Sequence, residues 1–196
     1  METDRTIISE EITKEAVDEI VKIGTKKKKE LNYDIRGEKL PDNHSYSYRE
    51  DLEKRMIDLV NEHRENNGLQ ALEKAKDLRD SARYKSLAML QLNYFSHDNP
   101  NFSDESMGHL IYDIFELTHY IGIGENLGTI SSTVLSDDAI EQVFKNLKES
   151  PGHNENMLME EFEYIGVGVV YAKKPGSQYH SVPTILVTQH FGQENF

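Results

Sequence analysis

Cysteine is absent from the 196-residue chain. Disulfides, thiolate metal sites and cysteine nucleophiles are therefore excluded. The absence leaves the compartment open, because disulfide-poor exported proteins and ordinary cytosolic ones both fit it. Long apolar runs are missing too: nothing approaches the ~20 residues that a bilayer-spanning helix needs, so no transmembrane segment is expected. No secretory apolar stretch opens the chain, so an exported protein would carry its signal upstream. Positive charge is scarce, with 22 Lys and Arg against 35 Asp and Glu, a formal charge of −13. After residue 50 the imbalance is 12 basic to 23 acidic residues. So acidic a unit is repelled by phosphate backbones and anionic membranes, and nucleic acid is not an expected partner. Also lacking are a His-Glu-x-x-His helix, a Gly-x-Ser-x-Gly elbow and a glycine-rich phosphate loop. No activated nucleophile stands out.

What is present falls into three zones. Residues 1–29 hold short β-like runs, Thr6-Ile7-Ile8 and Val17 to Ile23, closed by Gly24-Thr25 and a solvated tether of four lysines, Lys26 to Lys29. Residues 30–49 lack periodicity and are expected to be a connector. Residues 50–196 carry the strong patterns of a main domain. Leu52, Met56, Leu59, Val60 and His63 share one helix face. Leu72, Ala75, Leu78 and Ala82 open a second helix that runs to Leu92. A third is expected over Asp104 to Leu117. Ser136 caps a fourth, with Asp137 and Asp138 in its first turn, and Ile140, Val143, Phe144 and Leu147 as its buried stripe. That helix stops at Ser150-Pro151-Gly152. The period then changes to two over Ile165–Tyr171 and Thr184–Gln189, which predicts two antiparallel strands around a Lys174–Ser177 turn. Helices first and strands late imply an α+β fold with helices packed on a small antiparallel sheet.

Three polar residues stand at expected element ends, where scaffolds place functional groups. His97 follows a helix in Tyr94-Phe95-Ser96-His97. Glu125 lies between glycines in Gly124-Glu125-Asn126-Leu127-Gly128, expected as a loop. His153 follows Ser150-Pro151-Gly152 at the helix stop. Two imidazoles and a carboxylate could hold a metal such as zinc or share protons. Equally, His97 and Glu125 could simply bond each other and lock two segments together. His44, His63, His109, His119 and His180 are expected in structural roles.

Met56 to Arg64 with Gly68-Leu69-Gln70-Ala71-Leu72 resembles the first helix of bacterial SCP-like domains in the CAP superfamily, the group of cysteine-rich secretory, antigen 5 and pathogenesis-related proteins. The resemblance continues in order through Tyr94–His97, Gly124–Leu127, Ser150–His153, Tyr164–Val169 and Thr188-Gln189-His190-Phe191-Gly192. It implies an α-β-α sandwich with a groove lined by two histidines and two acidic residues, in some members with a divalent metal. His97 and Glu125 match two of these positions. The second glutamate falls near Ser150, beside Glu149, and the second histidine falls on Leu186, so His153 is the expected substitute imidazole and, with His97, the expected metal pair. Asn126, Glu149, Ser150 and Gln189 complete the expected groove.

Ser9 to Lys26 resembles the end of a G-five module of Gram-positive surface proteins. Together the resemblances imply an extracellular or cell-wall-associated protein that binds a small hydrophobic, envelope or host ligand without catalysis. The alternatives are a metal-dependent peptidase-like hydrolase using His97, Glu125 and His153, and a spacer within a larger surface protein.

Overall fold

A computed structural model of the chain describes residues 40–99, 106–132 and 138–194. These residues belong to one compact unit that starts at Leu40. The β-like runs expected before Ile23, the lysine tether, the start of the third helix at Asp104 and the Ser136 cap lie outside the described residues.

The elements in chain order are β1 (Ser47–Tyr48), α1 (Glu50–Asn66), β2 (Glu73–Lys74), α2 (Lys76–Gln91), a π-helical turn (His109–Ile114), β3 (Tyr120–Ser131), α3 (Ala139–Glu149), α4 (Pro151–Leu158), β4 (Tyr164–Ala172) and β5 (Thr184–Glu194). The sheet has five strands in the order β1-β4-β5-β3, with β2 also paired to β4. All pairings are antiparallel except that of β2 with β4. Helix α2 covers one face, against β4 and β5, while α1 and α3 cover the other, against β4 and β3. The result is a three-layered α-β-α sandwich.

The apolar stripe of the first helix is buried as expected: Met56, Ile57 and Val60 meet Ile140, Val143 and Leu147 of α3 and Ile165, Val167, Val169, Ile185 and Val187 of the sheet. His63, at the edge of that stripe, is buried with its Nε2 2.8 Å from Asn154 Oδ1. The opposite face is built differently. Helix α2 is buried along nearly its whole length, because two strand glycines admit it to backbone contact. A Cβ on Gly166 would stand 2.1 Å from Arg79 N, and one on Gly168 would stand 2.3 Å from Arg83 N. Ser86 Oγ then reaches the Gly168 carbonyl at 2.9 Å. Buried Arg83 pairs with buried Glu53 at 2.6 Å, and Glu53 Oε1 also accepts the Val169 N–H at 3.2 Å.

Several expectations are corrected. The Gly124–Gly128 segment is not a loop but the middle of β3, a 12-residue strand. Its glycines serve packing rather than a turn: a Cβ on Gly124 would stand 2.8 Å from the Phe162 ring, and one on Gly128 would stand 2.5 Å from Val143. The sheet therefore has more strands than the two that alternation reveals. The fourth helix does stop at Ser150, but Pro151 occupies the first turn of a new helix, α4, so His153 sits within a helix. Proline is well placed there, since the first helical N–H has no intrahelical acceptor to lose. The second helix begins at Lys76, because Glu73–Lys74 pairs with β4 instead, and the third is a six-residue π-helical turn. Within the stretch expected as a connector, Asn43 and His44 bond to Gln91, and Ser47–Tyr48 pairs with β4.

Candidate functional site

Glu125 is the centre of the expected site, and the pairing of β3 with β5 decides its surroundings. Glu125 stands directly opposite His190. Its Oε2 accepts from His190 Nε2 at 2.9 Å, and its Oε1 accepts from His97 Nδ1 at 2.8 Å. The carboxylate side chain is 1% exposed, as is that of His190, whereas His97 is 54% exposed. The chain of contacts continues inward from His190 Nδ1 to Ser81 Oγ at 2.8 Å, and that hydroxyl also bonds the Leu78 carbonyl at 2.9 Å. The order Ser-His-Glu is that of a hydrolytic triad, but Ser81 is fully buried between α2, which carries it, and the sheet. No substrate carbonyl can reach its oxygen, so the geometry that a nucleophile requires is lacking.

Burial by itself would push the Glu125 carboxyl up, but hydrogen bonds from His190 and His97 outweigh it and hold the group down at about 2. The same bond to Glu125 raises His97, against a smaller opposing effect of burial. His153 is lowered, first by burial and then by repulsion from His97. The two outer histidines are thus neighbours shifted in opposite directions. A proton NMR titration should find His97 above its ordinary 6.5 and His153 below it. In Glu125→Gln the His97 midpoint should fall towards 6.5, and an unmoved midpoint would show that the bond does not persist in solution.

The His97 segment is held from several sides. Lys85, buried in α2, donates its Nζ to the His97 carbonyl, and its ammonium lies 5.3 Å from the Tyr94 ring centroid. Tyr179 Oη donates to the Tyr94 carbonyl. On the other side of Glu125, an amide network joins β3, β5 and α4. Asn126 Nδ2 donates to the His153 carbonyl and to Gln189 Oε1, both at 2.9 Å, and Asn156 Nδ2 donates to Asn126 Oδ1 at 2.9 Å and to the Glu125 carbonyl at 3.2 Å.

Of the residues expected from sequence, His97, Glu125, Asn126, His153 and Gln189 come together, and Ser150 lines the adjoining cleft. Glu149 does not join them: its exposed carboxylate lies 3.9 Å from Lys145 on the same helix. Leu186 is wholly buried, and the second imidazole on Glu125 is that of His190, not His153. His190, Ser81, Lys85 and Asn156 were not among the expected site residues. The alternation that marks β5 as a strand already places His190 on the face of Leu186 and Thr188, four residues from the vacated family position.

The residues do not fit a metal centre. Both oxygens of Glu125 and both ring nitrogens of His190 are committed to hydrogen bonds. Among the described residues, no three His, Asp or Glu side chains are grouped to hold an ion, and two imidazoles alone fall short of the three protein ligands of a catalytic zinc site.

A cleft of about 220 Å³ adjoins the site, lined by Phe95, Leu127, Gly128, Thr129, Val143, Asn146, Leu147, Ser150 and His153. Its floor is apolar and its rim carries amide, hydroxyl and imidazole groups. Fold and site together define an α-β-α sandwich domain with a buried carboxylate clamped between two histidines at one edge of its sheet. The chain belongs to the cysteine-rich secretory protein (CAP) family, whose model matches residues 57–191. A second model, that of the G5 domain, matches residues 1–26.

The chain is 33% identical over 123 residues to the uncharacterised protein YkwD of Bacillus subtilis, covering 60% of this chain and 42% of that protein. An extracellular SCP-domain protein of Bacillus anthracis superposes with a TM-score of 0.56 at 24% identity, over 74% of this chain and 41% of the other. An outer surface protein of Borrelia burgdorferi superposes with a TM-score of 0.59 at 16% identity, over 78% of this chain and 99% of the other. The chain thus spans less than half the length of both Bacillus proteins.

Proposed function

We propose that residues 50–196 form a non-enzymatic binding module of an extracellular or cell-surface protein, with a ligand seated in the cleft beside His97 and His153. One observation carries this reading: the central carboxylate is enclosed. Glu125 accepts from two imidazoles and is sealed from solvent, so its remaining lone pairs meet neither water nor a substrate proton. Its role is to fix the wall of the cleft. The apolar floor of Leu127, Val143 and Leu147 then offers burial to an apolar group, and the polar rim orients it. An outer location is supported by the extracellular and outer-surface descriptions of the two structural relatives.

The test is a titration of isotope-labelled protein with decanoate, a soluble peptidoglycan digest and short peptides, followed by amide NMR. At least one probe should give saturable shifts confined to residues 127–129 and 143–153. Asn146→Trp, at an exposed position on the cleft rim, should remove those shifts without altering thermal stability. If no probe perturbs the cleft, the reading falls.

A further inference from the structure

Strand β3 is the edge of the sheet. Among the described residues it pairs only with β5. The ladder shows which of its main-chain groups face outward. Ser132 N–H bonds the Pro183 carbonyl, just beyond the Ser131–Thr184 pair. Because antiparallel pairing alternates, the even-numbered residues of β3 bond inward to β5. The odd-numbered ones turn their N–H and C=O away from the sheet. The Glu125 carbonyl confirms the alternation, since it points outward and is taken by Asn156 Nδ2 at 3.2 Å. The next outward residues are Leu127 and Thr129. No described residue bonds the outward main-chain groups of either.

Those same residues line the cleft. The cleft straddles the strand edge, with Phe95 and Leu127 on the α2 side and Val143, Leu147 and Ser150 on the α3 side. Phe95, at 36% exposure, is one of the two large exposed apolar side chains of the described residues. A lipid chain could fill the cleft but would leave four main-chain hydrogen-bonding groups of Leu127 and Thr129 unanswered. An extended peptide answers both features at once. Its backbone repeats every second residue, matching Leu127 and Thr129, and one of its side chains faces the cleft. The volume of about 220 Å³ lies below the usual range of small-molecule pockets, roughly 300–1,000 Å³, and suits a single Leu- or Phe-sized side chain. The charge of −13 favours approach of a basic segment.

We propose that the outer edge of β3 at Leu127–Thr129 is a docking strand for an extended basic peptide segment of a partner protein, with one apolar side chain of that segment held in the cleft. This rests on the binding-module reading and narrows it to a ligand class.

The experiment uses the full chain and an array of short capped peptides with Lys at the ends and Leu or Phe at the centre. Peptides that bind should shift resonances of residues 125–131 and slow hydrogen exchange at the Leu127 and Thr129 amides. N-methylation of one alternate backbone nitrogen should weaken binding roughly tenfold, the equivalent of one lost main-chain bond at an interface, while methylation of the neighbouring nitrogen should not. Because the loss is read on wild-type protein, it does not depend on a variant folding. Binding indifferent to N-methylation, or shifts located elsewhere, would overturn the proposal. So would a cleft that responds to decanoate but to no peptide, although the binding-module reading would then stand. A cleft that responds to none of decanoate, the peptidoglycan digest and the peptides would remove both.

Discussion

Replacing Glu125 by leucine is expected to destabilise the domain by about 3 kcal/mol, at the high end for leaving a buried hydrogen-bonding group without its partner. The shape is nearly kept, but His190 is 1% exposed and its Nε2 would lose its acceptor in a place that water cannot reach. Thermal unfolding should show a fall of roughly 10 °C. Glutamine at the same position should cost less, because its amide can still meet one imidazole. The pH dependence separates the charge from the packing. The Glu125 carboxyl is held down at about 2 from an ordinary 4.5, so its contribution is complete above 4.5 and is lost as pH falls towards 2. His97 is raised above 6.5, so its contribution is complete below 6.5 and fades as pH climbs through its folded value. The stability difference between wild type and Glu125→Gln should therefore be greatest between about 4.5 and 6.5, the ordinary values of the two groups. A difference that does not change from pH ~2 to ~9 would mean that the clamp is packing alone.

The second large effect is expected at Gly168. An alanine methyl there would stand 2.3 Å from Arg83 N and 2.4 Å from the Ala82 carbonyl carbon. Backbone atoms of a packed helix cannot rotate aside as a side chain can. The helix must lift from the strand, stretching the Ser86 bonds to the Gly168 carbonyl and to Thr188 Oγ1, at 2.9 and 2.8 Å. We expect a loss of about 3 kcal/mol or more, the upper part of the overpacking range. Chemical denaturation would measure it. Because α2 carries Ser81 and Lys85, the shift should also loosen the His190 and His97 contacts. Gly152→Ala is the control: nothing lies within 4 Å of its missing Cβ, and an alanine in α4 should leave stability unchanged or raise it by up to ~1 kcal/mol. Equal behaviour of the two variants would refute the close-approach account.

Both predictions depend on residues whose type is plain in the sequence but whose role is not. Gly166 and Gly168 alternate with Ile165, Val167 and Val169, so a strand is legible there. That the vacant face admits a helix backbone is a property of where α2 lies. Likewise the Gly122–Gly128 spacing suggests a turn to a local reading, because glycine is the commonest turn former. Pairing with β5 over eleven registered positions overrides that preference. Sheet membership is a long-range fact, and glycine's weak strand propensity hides it.

The sequence by itself determined much of this protein. Periodicity settled the first, second and fourth helices and the last two strands, because buried stripes recur at 3.6 and 2 residues. Six ordered motifs marked the family, and the absence of cysteine excluded disulfides, thiolate metal sites and cysteine nucleophiles. It also singled out His97, Glu125 and His153, each 28 residues from the next in the chain. Only the tertiary structure decided which of them bond. The register of β3 on β5 sets Glu125 opposite His190, and that pairing is fixed by burial summed over both whole strands, to which no single motif contributes enough to be read alone. The helix that starts at Pro151 then leaves His153 beside His97 as a wall of the cleft, while the second imidazole on the carboxylate comes from the neighbouring strand β5.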